Sequence, residues 1–374
     1  MAQKTVSLFL IAYGICAAAV FAMEIRRTNA IHAAVPAIFV FGDSIFDVGN
    51  NNFLPFTLAR VDRPYNGIDF PGGVATGRFC NGYNIVDHLA MKMGSEVSPE
   101  AFLSMVNTST LQDKMSKGVN FASGGSGIKD VTGHSLGGAF SLRTQIENFA
   151  TVGRNLIQKI GSNRTDILLS KSIFVFSTGN CDFLELKPWD HGLDNSTQNQ
   201  LFLTDLTAQF KRHLQRLHQL GARKFAIMSV PEIGCCPYER SLNPAVGECF
   251  QDLNELAYDF HQATAAMLEE LKSEMDGMSY SLGNTREIML EIVRNQARYG
   301  FKDVVSGCCG SGPLNGRSLC EPNCTYCSNR DEYLFWDPYH PTQKAANLVA
   351  SILFNGSPHF VAPINFQKLA EEEN

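Results

Sequence analysis

Val35-Pro-Ala-Ile-Phe-Val-Phe-Gly-Asp-Ser44 is the stretch of the 374-residue sequence that decides the fold. Its apolar run, rich in β-branched and aromatic residues, predicts a buried strand. Gly42 permits a sharp turn off that strand, which places Ser44 at the strand exit, against the N-terminus of a following helix. Oriented N–H groups there favour developing negative charge, so Ser44 is a candidate nucleophile. A serine helix cap with Asp47 three residues on is the alternative that involves no catalysis.

The order of strand-like and helix-like segments indicates an α/β fold. Further apolar runs typical of buried strands lie at 172–177, 224–230 and, more weakly, 278–282. Apolar residues at three- and four-residue spacing predict helices over 83–93, 145–160, 197–220, 252–275, 287–299 and 342–354. This alternation predicts a mostly parallel sheet covered on both faces, a three-layer α/β/α sandwich. No linker or repeat interrupts residues 23–374, so we expect a single domain there.

The first 22 residues are typical of a secretory signal peptide. Lys4 supplies a short positive region, Val6–Ala22 is almost wholly apolar, and Val20 and Ala22 are small residues at the positions that a signal peptidase reads. An uncleaved membrane anchor is the alternative, because two arginines follow closely. The apolar run is short, however, for a crossing of roughly 20 residues. We therefore expect cleavage after Ala22, with no later transmembrane segment.

Composition and short motifs agree with a secreted globular protein. The chain is 44% apolar and 18% charged, with a net charge of −6. It has no run of Lys and Arg interleaved with aromatic residues, so nothing indicates a nucleic-acid partner. Five Asn-x-Ser/Thr motifs are candidate glycosylation sites on surface loops. They begin at Asn107, Asn163, Asn195, Asn323 and Asn355.

The cysteines favour disulfides over a metal site. Of eleven, Cys16 lies in the signal peptide, and ten remain for an oxidising compartment. Five of those crowd into residues 308–327, where Cys324-Thr-Tyr-Cys327 has the ligand spacing of a zinc knuckle. No histidine lies in that segment and the adjacent Cys308-Cys309 pair suits no regular zinc spacing, so we expect disulfides and no metal. The pairing stays open.

A second candidate catalytic segment lies near the end of the chain, at Phe335-Trp-Asp-Pro-Tyr-His-Pro-Thr342. A short turn stiffened by two prolines can bring Asp337 back onto Nδ1 of His340, which fixes the tautomer and stabilises the imidazolium. Nε2 is then free to take the proton of a serine hydroxyl. An isolated Asp-x-x-His is more often a surface turn, but this is the one histidine of nine framed in this way.

Together the two ends of the chain resemble the plant-type GDSL esterase/lipase family, part of the wider SGNH hydrolases. The motifs are Phe-Gly-Asp-Ser44-x-x-Asp-x-Gly-Asn-Asn and Phe-Trp-Asp337-x-x-His340-Pro-Thr, with intermediate matches at 77–82, 118–125 and 308–310. The resemblance implies a flavodoxin-like α/β/α sandwich. It also implies that Ser44 is the nucleophile, His340 the base and Asp337 its partner.

The same resemblance implies an oxyanion hole that is incomplete in this chain. The family uses the serine backbone N–H, a glycine that corresponds to Gly124 (Gly125 adjoins it), and an asparagine. The family pattern Gly-x-Asn-Asp falls on residues 179–182, so the expected asparagine is Cys181. A thiol is a poor donor. Asn180 is next to it, but on an extended segment its side chain would point the other way.

Cys80 and Cys181 are the two remaining cysteines of special interest. Both lie outside the cysteine-rich segment and beside motifs that surround the expected site. We expect them to approach each other or the floor of the site.

Gly133-His-Ser-Leu-Gly-Gly138 is a rival nucleophile motif. It matches the Gly-x-Ser-x-Gly elbow of α/β-hydrolases, with Ser135 as nucleophile. That elbow needs a buried strand directly before it, whereas Lys129 and Asp130 occupy positions that should be apolar. The three glycines within six residues also favour an exposed loop. We therefore expect Ser44, and not Ser135, to be the nucleophile.

The function expected from these residues is hydrolysis of carboxylic esters. Ser44 would attack the ester carbonyl to form an acyl-enzyme, and because water or an alcohol can release it, an acyltransferase remains an alternative. A weakened member that acts as a binding or modulating protein is another, because of Cys181. No cofactor is implied, and the expected substrate is a small-molecule or lipid ester. An extracellular, vacuolar or endomembrane location is expected, and the oligomeric state stays open.

Overall fold

The structure is a computed structural model that describes residues 35–106, 108–186 and 195–373. The predicted signal peptide, Cys16 and the glycosylation candidate Asn107 lie outside these residues. Within them, no helix is long and apolar enough to cross a membrane.

A six-stranded sheet forms the centre of the molecule. Its strands are β1 (Ile38–Gly42), β2 (Gly118–Asn120), β3 (Ile173–Ser177), β4 (Lys224–Met228), β5 (Ser279–Gly283) and β10 (Val361–Pro363), in the spatial order β10-β5-β4-β3-β1-β2. The first five strands pair in parallel, and β10 joins β5 antiparallel. Two smaller pairs contain the remaining strands, β6 (Asp303–Gly307) with β9 (Tyr333–Phe335) and β7 (Cys309–Gly310) with β8 (Thr325–Tyr326).

Helices cover both faces of this sheet. The α-helices are α1 (Ile85–Lys92), α2 (Phe102–Met105), α3 (Ser109–Lys114), α4 (Leu142–Ile160), α5 (Ser162–Lys171), α6 (Asn180–Leu184), α7 (Asn195–Gln219), α8 (Pro237–Leu242), α9 (Gln251–Glu274), α10 (Thr285–Arg294), α11 (Gln296–Tyr299), α12 (Gln343–Asn355) and α13 (Phe366–Glu371).

Two cores separate the three layers, because alternate residues of each strand point to opposite faces. Phe39 and Phe41 of β1 pack with aromatic residues of α4, α7 and α9 in one core. Ile38 and Val40 face the other core, which α1, α10, α12 and α13 cover. The predicted α/β/α sandwich with a mostly parallel sheet is confirmed.

Several elements differ from those predicted. The three-residue β2 and the edge strand β10 are too short to stand out in the sequence, and α5 follows α4 after only Gly161, whose φ of 84° interrupts the helix. The single helix expected over 287–299 is two, α10 and α11, divided at Asn295 with non-helical backbone angles.

Candidate active site

Ser44 lies directly beyond the carboxyl end of β1. Gly42 ends that strand with φ of 134°, and a Cβ on it would lie 1.8 Å from the carbonyl oxygen of Ser177 on β3, so only glycine fits. The Phe46 and Asp47 N–H groups then donate to the Asp43 carbonyl, closing a single turn around Ser44. The helix expected after Ser44 is absent from this described segment, which continues as a turn and a short 3-10 helix.

The histidine loop reaches Ser44 from the opposite end of the chain. It follows β9 and ends where Thr342 caps α12 through a hydrogen bond from the Ala345 N–H. The Trp336 N–H donates to the His340 carbonyl at 2.7 Å, which closes the loop. Within the loop, the Asp337 carboxylate accepts the backbone N–H groups of Tyr339 and His340, each at 2.9 Å. These two backbone hydrogen bonds orient the carboxylate independently of its contact with the imidazole.

Three side chains meet in a line at this point. His340 Nδ1 lies 2.7 and 2.8 Å from the two carboxylate oxygens of Asp337, and His340 Nε2 lies 2.7 Å from Ser44 Oγ. Asp337 and His340 are both buried, and the ring of Phe79 lies 4.9 Å from the imidazole. A carboxylate at Nδ1 holds the proton there and leaves Nε2 to accept a proton from the serine hydroxyl.

The comparisons with known proteins agree on one family. The family described as GDSL-like lipase/acylhydrolase matches residues 38–353. The chain belongs to this family. Three proteins of Arabidopsis thaliana, each named a GDSL esterase/lipase, are 36%, 37% and 36% identical to it over 342, 341 and 343 residues. Each alignment covers 90% of this chain and 88–91% of the relative, so the chain is a hydrolase of the GDSL type.

A cavity of about 640 Å³ adjoins Ser44 and His340 in this GDSL hydrolase. Its walls are mainly apolar, from Ile45, Leu58, Phe79, Leu136, Met228, Ile288, Ile292, Tyr339 and Val349 among others. The few polar side chains in the wall include Asn180, Glu185 and Arg317. An apolar cavity with a small number of polar groups at one side is the usual form of a ligand site.

Gly124 and Gly125, the two adjoining glycines of the motif at 118–125, differ in the hydrogen bonds that their backbone N–H groups make. The Gly124 N–H donates to the buried Asp47 carboxylate at 2.9 Å, and Gly124 does not line the cavity. Gly125 does line it. A buried carboxylate holds the Gly124 N–H, whereas the Gly125 N–H bonds to the thiol of Cys181 in the cavity wall. Gly125 is therefore the better placed of the two as a candidate oxyanion donor.

Cys181 and Asn180 both line the cavity. The expectation that Asn180 points away assumed an extended segment, whereas these residues begin the short helix α6. Asn180 is buried, and its amide donates to the carboxylate of Asp43 at 2.8 Å. Burial raises the pKa of the Cys181 thiol well above its ordinary value, so the thiol stays protonated.

Three buried aspartates surround the site, and only Asp47 drew attention in the sequence. Burial raises the pKa of Asp43 to about 7 and of both Asp47 and Asp182 to about 6, although hydrogen bonds oppose the shift in each case. Asp182 accepts the Ile128 and Lys129 N–H groups at 2.7 and 3.1 Å. These carboxyls hold the loops that follow β1, β2 and β3 against one another.

Ser135 lies near the same cavity in a different setting. It is in a 3-10 turn between two glycines with left-handed backbone, Gly133 and Gly137, and its side chain is exposed. Its Oγ lies 3.2 Å from a carboxylate oxygen of Glu185. Among the described contacts, no imidazole reaches it. The strand that a nucleophile elbow requires is absent from the described residues before it.

The expected disulfides occur in the cysteine-rich segment and once outside it. They join Cys308 with Cys327, Cys309 with Cys320, and Cys235 with Cys249. Among the described cysteines, the free thiols are those of Cys80, Cys181, Cys236 and Cys324. Cys80 and Cys181 both lie near the candidate site. The Cys80 thiol donates to the Pro341 carbonyl beside His340, and Cys181 lines the cavity.

The glycosylation candidates stay predictions. Asn163, Asn323 and Asn355 are exposed. Asn195 begins α7, and its side chain lies outside the described part of the chain, as does Asn107. Among the residues that the structure describes, no cluster of His, Cys, Asp and Glu could hold a metal ion.

Proposed function

We propose that the chain is a serine esterase that hydrolyses carboxylic esters through an acyl-enzyme on Ser44. The observation that carries this proposal is the unbroken line from the Asp337 carboxylate through both nitrogens of His340 to Ser44 Oγ, with each gap between 2.7 and 2.8 Å. A serine hydroxyl is a weak nucleophile until an adjacent base takes its proton. This arrangement supplies that base.

The proposed reaction runs in two halves. His340 Nε2 accepts the Ser44 proton as Oγ attacks the ester carbonyl, and Asp337 stabilises the imidazolium that forms. The Ser44 and Gly125 backbone N–H groups are the proposed donors to the oxyanion. When the tetrahedral intermediate collapses, His340 returns its proton to the departing alcohol, and water then releases the acyl group by the same steps.

The cavity wall indicates the substrate class. Apolar side chains dominate it, and each methylene group that it takes from water favours binding by about 0.8 kcal/mol. The proposed substrate is therefore an ester with an extended apolar part. No step of the proposed reaction needs a cofactor.

A second candidate function follows from Cys181. It lines the cavity where the family has an asparagine, and loss of one oxyanion donor lowers turnover by about 10²–10³. A chain with such slow turnover could bind an ester without releasing products at a useful rate. This candidate predicts tight binding with negligible turnover.

Secretion and glycosylation complete the proposal. Three disulfides favour an oxidising compartment, which the predicted signal peptide would provide. The exposed Asn163, Asn323 and Asn355 are the proposed glycan sites.

The proposal is tested by pre-steady-state hydrolysis of p-nitrophenyl butyrate with the full chain secreted from eukaryotic cells. We expect a burst of nitrophenol that approaches one equivalent of protein, and no burst with Ser44→Ala. Turnover that survives Ser44→Ala would contradict the assignment. Binding of the ester without any burst would favour the second candidate.

A further inference from the structure

Two loops at the mouth of the cavity, residues 53–58 and 131–138 and here called the rim loops, expose large apolar side chains. Phe53 is 53% exposed, Phe56 81% and Leu58 68% in the first loop, and Val131 is 61% exposed in the second. Four such side chains in two short loops are more than scattered surface residues. An exposed apolar patch of this kind marks an interaction surface.

The rim loops form one surface. The Leu58 N–H donates to the Leu136 carbonyl at 2.7 Å, and a Cβ on Gly137 would lie 2.2 Å from the carbonyl oxygen of Phe56. The surface is also continuous with the cavity. Leu58 and Leu136 line the cavity, and Leu58 is exposed to solvent at the same time. An apolar path therefore runs from the outside of the molecule to Ser44.

The scarcity of charged side chains on the rim loops limits the class of partner that they can bind. Residues 50–59 and 131–142 contain no Asp, Glu, Lys or Arg, and His134 is their one histidine. The charged residues that adjoin these stretches in sequence are paired, Asp130 with Arg143 at 2.7 Å and Arg60 with Asp62 at 2.6 Å.

One exposed carboxylate, Glu185, contacts the second loop, where it accepts the Gly133 N–H and the Ser135 hydroxyl. A surface with so few charges lacks most of the electrostatic complementarity that specific protein partners use. Aromatic side chains without charge suit the boundary between water and lipid.

We propose that the rim loops dock this protein onto a lipid–water interface, with Phe53 and Phe56 inserted among the acyl chains. The cavity mouth would then face the lipid, so an ester could enter along Leu58 without crossing water. The inference rests on the proposed function, because docking is useful only if it brings an ester to a catalytic Ser44. Docking itself needs no turnover and can be measured separately.

The experiment measures co-sedimentation of the full chain with phosphatidylcholine vesicles. All proteins carry Ser44→Ala, so that no lipid is consumed. The test variant is Phe53→Ser/Phe56→Ser. The matched control is Ile167→Ser, which changes an equally apolar side chain, 58% exposed, on α5. That helix leads into the amino end of β3, whereas Ser44 lies beyond the carboxyl end of the parallel strand β1.

The parent protein and the control are expected to sediment with the vesicles equally at low and high salt, because no charge takes part. The test variant is expected to lose at least about tenfold in partitioning, since each phenylalanine side chain that is transferred from water to lipid favours association. Thermal unfolding of all variants checks that each is folded.

Three results would overturn the docking proposal. They are no binding by the parent, equal binding by the test variant, and a parent dimer in gel filtration that the test variant abolishes, which would make the rim a contact between two copies. None of these depends on esterase activity. If vesicles bind as expected but the Ser44 protein shows no burst, the docking proposal stands and the proposed reaction fails.

Discussion

Ser44 and Ser135 line the same cavity, yet their surroundings differ in every respect that matters for catalysis. Ser44 follows the central strand β1, in a turn held by backbone hydrogen bonds, and lies 2.7 Å from the imidazole of His340. Ser135 lies in an exposed glycine-rich loop, 3.2 Å from the carboxylate of Glu185. A carboxylate beside a serine opposes the negative charge that a nucleophile must develop. Among the described contacts, Ser135 has no histidine with a supporting carboxylate to accept its proton.

The difference teaches that a motif is only as informative as the elements around it. As a string, Gly-x-Ser-x-Gly at Ser135 is the better-known nucleophile signature. The strand before Ser44 and the Asp-x-x-His segment almost 300 residues later carry the information that decides between them. The glycines around Ser135 serve instead to bend one of the rim loops over Gly125.

The largest expected effect is on the Ser44 side of the comparison. Asp337→Asn keeps the shape of the loop but no longer holds the Nδ1 proton of His340, so kcat is expected to fall by about 10⁴-fold. Glu185→Gln, beside Ser135, is the matched carboxylate change and is expected to leave kcat close to that of the parent. Steady-state hydrolysis of p-nitrophenyl butyrate measures both. Similar losses in the two variants would remove the distinction between the serines.

The next effect is a gain. Cys181→Asn supplies the amide donor that the family has at this place, and kcat is expected to rise by as much as about 10²-fold. Cys181→Ser is the control. The serine hydroxyl is similar in size to the cysteine thiol, and it does not extend as far into the cavity as the asparagine amide would. The same ester assay compares them. An unchanged rate in Cys181→Asn would mean that the oxyanion hole is completed by another group.

A smaller effect concerns pH and stability. Burial raises the pKa of Asp43, next to Ser44, from 3.8 to about 7. Between these values the folded protein holds a proton that the unfolded chain has released, so the free energy of unfolding should fall as pH rises from about 4 to about 7. Asp43→Asn cannot titrate, and Asn180 can rotate its amide to accept from the new side chain.

The measurement is the melting temperature across that pH range. We expect the melting temperature of Asp43→Asn to depend less steeply on pH than that of the parent. Asp113→Asn, an exposed carboxylate on α3, is the control and should keep the parent slope. A parent slope in Asp43→Asn would show that Asp43 is ionised throughout.

The smallest expected effect is on the other side of the comparison. Ser135→Ala removes one hydroxyl from an exposed loop, and the loop keeps the hydrogen bond from the Gly133 N–H to Glu185 at 2.9 Å. Both kcat and the melting temperature are expected to stay close to the parent values. A loss of kcat comparable to that of Asp337→Asn would give Ser135 a role that its surroundings do not suggest.

Much of the fold and of the arrangement of the candidate site could be predicted from the sequence, because buried apolar strands and the two end motifs leave strong local patterns. The apolar run before Ser44 and the stiff turn from Asp337 to His340 are of that kind. What could not be predicted depends on tertiary packing. The preference for Gly125 over Gly124 as the candidate oxyanion donor depends on Asp47, which accepts the Gly124 N–H. The inward position of Asn180 follows from a helix of only five residues, α6, which no sequence period reveals.

The central claim is that Ser44 is the nucleophile, and labelling with a fluorophosphonate tests it most directly. The secreted protein and its Ser44→Ala and Ser135→Ala variants would be labelled, digested and the modified peptide identified by mass spectrometry. The account predicts one modified peptide, containing Ser44, in the parent and in Ser135→Ala, and none in Ser44→Ala. Label on the peptide that contains Ser135, or label that persists in Ser44→Ala, would contradict it.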